Sequence, residues 1–389
     1  MSKLKATIGR TVTQLLTSTR LQDSRRNRYA LRRKLTGQKP TVHFFCQSDD
    51  PYSPLLAACL PALQARYAIA VVTHQVPPPD AAAAPELALL QAWSARDAAR
   101  LVHSFGIDTT GFTAATGTPA DALAHGAALR KQMGHYLGAT LYFEGEWYWG
   151  TDRLHYLEQR LTLAGLRLDH ASRAVMVPPP ALQFSPANPP SRNAPIIHFY
   201  CSLRSPYTYL AAKQVRQLAE HYGAELQLRF VLPMVMRGLP VPWPKRLYIL
   251  RDTKREADRL GIPFGKVVDP VGKPVEDGLA LLHAAIAQGK GPALLESFLE
   301  SVFANGVDAG SAFGLESIGL RAGLTARDMA AALKDDSWRA VAEANRADML
   351  SRGIWGVPSF RVNDMPVLWG QDRLWMLEED LRASMDETL

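Results

Sequence analysis

Cysteine is scarce in this chain, with three in 389 residues: Cys46, Cys59 and Cys201. They are too few and too scattered for a disulfide framework or a thiolate zinc site, and no CxxC occurs. A reducing cytoplasm is the simplest setting for such a chain. Also missing is any apolar run approaching the ~20 residues that cross a bilayer, so no transmembrane segment is expected. No GxGxxG or P-loop is present, which leaves nucleotide binding without support. Neither His43 nor His198 sits in an HxxxH or HExxH spacing, so no metal site is expected. The 47% hydrophobic and 21% charged content is ordinary for a globular protein and argues against disorder. At roughly 150 residues per domain, the length suggests two to three domains.

Positive charge is concentrated in one place. Residues 1–39 hold eleven Lys/Arg against one acid, Asp23, so this arm is +10 and the remainder, out of a total of +7, is −3. The arm has no continuous apolar stretch of the secretory-signal type. Its Arg/Ser/Thr-rich, acid-poor make-up suits an organellar transit peptide, or a surface for anionic lipid or nucleic acid. The plainer expectation is a solvated basic helix with Leu15, Leu16, Leu21 and Leu31 packed on the body.

An internal repeat organises the rest. TVHFFCQSDDPYSPL at 41–55 aligns without gaps on IIHFYCSLRSPYTYL at 196–210, pairing His43 with His198, Cys46 with Cys201, Pro51 with Pro206 and Tyr52 with Tyr207. WGTDRLHYLEQRL from Trp149 matches WGQDRLWMLEEDL from Trp369, and ARDAARLVHSFGI at 95–107 more weakly matches TKREADRLGI at 253–262. Three matches in one order indicate a duplicated domain. Residues 169–195 carry seven of the 27 prolines and read as an extended linker. The expected division is a basic arm at 1–40, a first domain at 41–168, the linker at 169–195 and a second domain at 196–389. From the shared proline to the shared Trp-Gly is 98 residues in the first half and 163 in the second (149 − 51 and 369 − 206), so a helical insertion should be larger in the second.

Val42–Cys46 and Ile196–Cys201 are short apolar runs that read as buried strands, each followed by a Pro-containing turn and an Ala/Leu-rich helix. Glu225–Phe230 reads as the next strand. Helices are expected over roughly 246–260, 276–304 and 325–352, then a hairpin of Ser359–Val362 and Pro366–Trp369, then a helix from Arg373 to about Met385. Cys46, Cys201, His43 and His198 read as strand-core residues, and Glu378, Glu379 and Asp380 as solvated. This order gives an α/β chain of two thioredoxin-like domains, each with an inserted helical subdomain.

FYCSLRSPYTYLA, LYILRDTKREADRLGIPF and GVPSFRVNDMPVLWGQDRLWMLE, in that order, resemble the DsbA-like thioredoxin superfamily in its 2-hydroxychromene-2-carboxylate isomerase and kappa-class glutathione transferase branch. The resemblance covers residues 196–385, with a more distant one over 41–165. Redox members of the superfamily carry CxxC where strand meets helix; here the four residues are Ser205-Pro206-Tyr207-Thr208. With hydroxyls at both cysteine positions, dithiol exchange has no protein nucleophile, and the branch takes its thiol from glutathione. A serine at a helix N-terminus caps the helix, and with the helix-end dipole it also steadies a thiolate, whose free pKa is about 8.5.

The resemblance further implies a cis bond before Pro358, with Val357 pairing its backbone to the cysteinyl part of glutathione. By the same resemblance, Asp372 meets the γ-glutamyl ammonium and Lys245 the glycyl carboxylate. An asparagine expected beside that lysine is replaced by Trp243-Pro244. In the first half Asp50 stands at the serine position, where a carboxylate repels a thiolate, and Gly138-Ala139 replaces the Val-Pro pair, although Asp152 remains. The first half therefore reads as a structural partner without glutathione chemistry, the fused halves standing in for the family's homodimer or forming part of one.

The implied activity is a glutathione-dependent isomerase acting on a small aromatic or unsaturated carbonyl compound. A kappa-like transferase or peroxidase, and a non-catalytic binding protein, are the alternatives. No nucleic-acid partner is expected.

Overall fold

A computed structural model describes residues 3–112, 118–186 and 194–386. Part of the proline-rich segment 169–195 and the extreme termini lie outside these residues. The chain divides into two compact units. One comprises residues 19–180 and 241–248; the other comprises residues 1–18, 181–240 and 249–389. Residues 169–186 contain no helix or strand.

The arm forms two helices, α1 (Lys3–Leu16) and α2 (Thr19–Thr36). Leu15, Leu21 and Leu31 are solvent-exposed, which corrects the expectation that they pack on the body. The polar sides of the helices hold them instead. Thr13 Oγ1 of α1 accepts from Val267 N at 3.1 Å, and the Arg26 guanidinium of α2 places two N–H groups on Glu146 at 2.5 and 2.9 Å.

The first half then runs β1 (Thr41–Cys46), α3 (Tyr52–Arg66), β2 (Ala70–Gln75), α4 (Leu87–Phe105), α5 (Ala120–Met133), β3 (Thr140–Phe143), β4 (Glu146–Trp149) and α6 (Leu154–Leu163). Its sheet has the order β2-β1-β3-β4, with β1 parallel to β2 and antiparallel to β3. A parallel pair needs a crossover, which α3 supplies. Phe44, Leu56, Leu63, Leu141, Tyr148 and Leu157 form its core.

The second half repeats the order: β5 (Ile196–Cys201), α7 (Pro206–Tyr222), β6 (Glu225–Phe230), six helices, β7 (Ser359–Val362), β8 (Leu368–Trp369) and the closing α14 (Leu374–Asp386). The sheet order is β6-β5-β7-β8, with the same strand directions. The inserted helices are α8 (Trp243–Leu260), α9 (Lys273–Ala287), α10 (Gly291–Glu300), α11 (Ala312–Arg321), α12 (Ala326–Ala332) and α13 (Trp338–Ser351), against α4 and α5 at the same place in the first half. This half is a DsbA-like thioredoxin fold, and its additional length lies in those helices.

Local chemistry accounts for the element boundaries. Ser205 caps α7 and Pro206 occupies its first turn, where a missing N–H costs nothing. Gly223 ends the helix at φ 62°, a left-handed conformation that glycine takes without strain. The expected helix over 276–304 is two helices broken at Gln288–Lys290, and that over 325–352 is broken at Leu333–Ser337. The final hairpin strand is only Leu368–Trp369, because Pro366 has no N–H for a ladder. Glu378 is buried, a correction to its reading as solvated: its carboxylate accepts from Tyr222 Oη at 2.7 Å and from Gln183 N at 2.7 Å.

Candidate functional site

Ser205 stands where β5 gives way to α7. The strand ends at the buried Cys201, and the turn closes with Ser205 N donating to Ser202 O at 3.1 Å. Arg204 beside it is fixed by a two-pronged contact with Asp269, both distances 2.6 Å. Ser205 as a residue is half-buried, unlike the buried Cys201, Ser202 and Leu203 before it. Ser205 Oγ accepts from Thr208 N at 3.1 Å, and its proton has only a long contact to Val357 O, at 3.5 Å. A bond of that length is weak, leaving the hydroxyl proton free to turn toward an anion. Two residues into the helix, the Thr208 hydroxyl is buried without a hydrogen-bond partner among the described residues.

The facing segment is Gly356-Val357-Pro358. The Val357–Pro358 peptide is cis, as the resemblance implies. Pro358 O accepts from Gly370 N at 2.9 Å, which ties this segment to the start of the turn Gln371–Arg373. Gly356 is required by close packing, since a Cβ there would lie 2.0 Å from the Trp369 ring. The Trp355 and Trp369 rings meet edge to face at 5.1 Å. Val357 keeps part of its surface open.

Asp372 lies in that turn, just before α14, and its carboxylate accepts from the Gln371 amide. Gln371 also donates to the buried Glu256 at 3.2 Å, and Glu256 takes Arg259 at 2.7 Å. Helix α8 adds a second tie, because Tyr207 Oη donates to the buried Asp252 at 2.8 Å. The structure thus assembles Ser205, Val357 and Pro358 directly, with Asp372 on the turn bonded to Pro358. Lys245 belongs to the other compact unit. There its ammonium donates to Ala83 O at 2.7 Å and lies 5.8 Å from the Tyr136 ring centre. Burial pulls its pKa down to about 8.

No cysteine offers a competing nucleophile. All three are buried, and burial raises each thiol pKa: Cys59 to about 11, Cys46 and Cys201 upward. A thiol held protonated and out of reach does not attack. Among the described residues, no group of three or more His, Cys, Asp or Glu is placed to hold a metal, and no helix is long and apolar enough to cross a membrane.

The first half carries the same frame with different chemistry. Asp50 Oδ1 accepts from Tyr52 N at 3.2 Å, and burial, aided by Asp49, raises the Asp50 pKa to about 7. Opposite, Gly138 packs so closely that a Cβ would lie 2.5 Å from the Gln47 side chain. Ala139 takes φ 46° where the second half has its cis proline. Tyr52 Oη donates to Asp97 at 2.7 Å. Sequence reading missed both Tyr–Asp bonds and the Gln371–Glu256 link. A signal for the first was present: Tyr52 and Tyr207, and Asp97 and Asp252, are each 155 positions apart (207 − 52 and 252 − 97).

Residues 196–382 match the family described as DSBA-like thioredoxin domain. No curated protein matches the chain. Among solved structures, the chain is similar to 2-hydroxychromene-2-carboxylate isomerase at 22% identity, covering 50% of this chain and 97% of that one, TM-score 0.41. It is also similar to the cytosolic disulfide reductase DsbM from Pseudomonas aeruginosa, at 22% identity over 50% of this chain and 98% of that one, TM-score 0.37. A probable DsbA oxidoreductase from Streptomyces coelicolor follows at 20% identity, 50% and 89% coverage, TM-score 0.37.

Proposed function

Since residues 196–382 are a DSBA-like thioredoxin domain, we propose that the chain is a glutathione-dependent isomerase of an aromatic or unsaturated carbonyl compound, working at Ser205. The observation that carries the reading is an alcohol at the redox-cysteine position, capping α7 with a lone pair while its proton stays weakly engaged. That donor set fits a thiolate. A hydroxyl proton and the amide end of a helix both favour negative sulfur over the thiol.

Glutathione, when bound, supplies a nucleophile that leaves unchanged, so isomerisation about an activated double bond requires no net oxidation or reduction. The protein's part is binding and charge placement. Ser205 gives its proton toward the anion. Val357, half-buried and with its carbonyl 3.5 Å from Ser205 Oγ, offers a backbone edge for a peptide to pair with. The Asp372 carboxylate, steadied by Gln371, suits an ammonium group. The resemblance also assigns Lys245 to the glycyl carboxylate; Lys245→Met is then expected to weaken glutathione binding, and unchanged affinity would remove the lysine from this reading. The shared sheet order supports reading the first half as a second copy of the domain, one that lacks the alcohol and takes no part in glutathione chemistry.

The test is turnover of 2-hydroxychromene-2-carboxylate with and without glutathione, alongside calorimetry of glutathione binding. Turnover that needs glutathione, without consuming it, supports the reading. Steady consumption with conjugate formation replaces it by a transferase, and absence of both binding and turnover overturns it.

A further inference from the structure

The two helices of the arm are amphipathic, and each is docked the opposite way round from a helix that completes a core. On α1, successive side chains step 100° around the axis, so Ile8, Val12 and Leu15 form one stripe and Ala6, Thr13 and Thr17 lie roughly opposite. The small and hydroxyl side meets the protein. Ala6 and Thr17 are buried, Thr13 holds Val267 N, and a Cβ on Gly265 would lie 2.8 Å from Thr17 Oγ1. On α2, Gln22, Arg26, Tyr29 and Arg33 form the gripping side. Arg26 and Gln22 hold Glu146, Arg33 holds Glu144, and a Cβ on the intervening Gly145 would lie 2.9 Å from the Tyr29 ring. The outward stripes, Ile8, Val12 and Leu15 on α1 and Leu21, Leu31 and Leu35 on α2, are 44–78% exposed. Arg20, Arg28, Arg32 and Lys34 are exposed on α2 among its leucines.

We propose that α2 is a peripheral membrane anchor that lies on an anionic lipid surface. Exposed aliphatic side chains gain by leaving water for the acyl boundary, and the cations among them gain beside lipid phosphates. Charge complementarity selects this occupant. The arm is +10 while the rest of the chain is −3, so only the arm is drawn to a negative surface. A nucleic-acid duplex would use the cations but offers nothing to the aliphatic stripe of α2. A second copy would use the stripe but would set one cationic arm against another. Neither helix is apolar enough to span, so the association is interfacial.

Full-length protein is sedimented with vesicles of phosphatidylcholine and phosphatidylglycerol, and with phosphatidylcholine alone. Binding is expected only to the anionic vesicles and is expected to fall with salt. Two variants, Leu31→Gln/Leu35→Gln and Arg28→Glu/Arg32→Glu, should each lower partitioning about tenfold or more. Far-UV circular dichroism checks that they fold, and Leu35→Gln alone, at the most exposed leucine, serves if the double change disturbs the helix. The proposal is overturned if anionic vesicles leave the protein in the supernatant. It is equally overturned if the leucine variant binds as wild type does, or if duplex DNA strips the protein from the vesicles. Self-association that the leucine variant abolishes would assign the face to a second copy instead.

Discussion

At residue 205 the second half leaves its first strand on an alcohol, while at residue 50 of the first half the corresponding side chain is a carboxylate. Around this exchange the two halves keep the same contacts. Tyr52 and Tyr207 donate to Asp97 and Asp252 at 2.7 and 2.8 Å, and Ala139 O and Pro358 O accept from Gly150 N and Gly370 N, both at 2.9 Å. His43 meets His74 at 2.9 Å, and His198 meets Arg229 at 3.1 Å. The bonds that hold strand, turn and helix together survive without the residues that would handle a thiolate, so the frame specifies where chemistry happens and leaves open which chemistry. Asp50 and Ser205 each accept a backbone N–H from the first turn of the following helix. Either side chain satisfies the helix, and only one tolerates a neighbouring sulfur anion.

The largest expected effect comes from making the second half like the first. Ser205→Asp should lower glutathione-dependent turnover by about 100- to 1000-fold, the scale for losing a donor aimed at developing negative charge, and should weaken glutathione binding. Steady-state kinetics and calorimetry read it. The reverse change, Asp50→Ser, should confer no glutathione site, because opposite it Gly138 packs tightly on the Gln47 side chain and Ala139 takes φ 46°. Turnover retained by Ser205→Asp would break the distinction between the halves.

Next is the pH response of Asp50. Its pKa is about 7 in the fold and near 3.9 in an unfolded chain. Between those values the unfolded chain loses a proton that the folded one keeps, so the contribution of Asp50 to stability is greatest below pH 4 and falls as pH rises to about 7. The loss is at most about 1.4 kcal/mol per pH unit in that window. Asp50→Asn should flatten this slope in denaturation measured from pH 4 to 8. No corresponding slope is expected from residue 205.

Third, Tyr52→Phe and Tyr207→Phe should each cost about 1.5–3 kcal/mol, the range for a buried hydrogen bond to a carboxylate. Calorimetric unfolding should give the two variants nearly equal losses, since the bonds are alike. Only Tyr207→Phe should slow turnover, because it loosens the helix turn that carries Ser205. Equal kinetic effects would mean that the first half takes part in the reaction.

How far these features were legible follows from their range along the chain. The strand–turn–helix at 196–222 was readable because an apolar run, a capping serine, a first-turn proline and a terminal glycine all act locally. The cis bond at Val357–Pro358 and the placement of Asp372 came from the resemblance, since no local propensity encodes them. The Tyr207–Asp252 bond joins residues 45 apart, beyond any local pattern. Glu378 was misjudged from its charge, although its spacing from Leu374 and Leu381 places it on the buried stripe of α14. Leu15, Leu21 and Leu31 were misjudged from their apolarity, because the grip on each arm helix comes from Thr, Arg and Tyr.

The smallest effect concerns the paired histidines. His43 Nδ1 and His74 Nε2 lie 2.9 Å apart, with their ring planes within 17°. The second half has Arg229 at the matching place, a permanent donor to His198. Burial lowers the pKa of His43, and burial together with His43 and His125 lowers that of His74. A lowered imidazole pKa means that the unfolded chain takes up protons first, so this contribution is full above about pH 6.5 and is lost as pH falls below it. His74→Gln keeps a hydrogen-bonding group and removes one titration, so it should reduce the acid sensitivity of the unit containing residues 19–180 by about 0.5–1 kcal/mol. His198 responds in the same sense and from the same onset, its pKa pulled to about 4 by burial and by Arg361 and Arg229. Acid should therefore begin to cost both halves at the same pH, with the cost at His198 growing down to about pH 4. Hydrogen exchange of the β1 and β5 amides at pH 4, 5.5 and 7 reads this, and β5 protection that does not fall between pH 5.5 and pH 4 would contradict it.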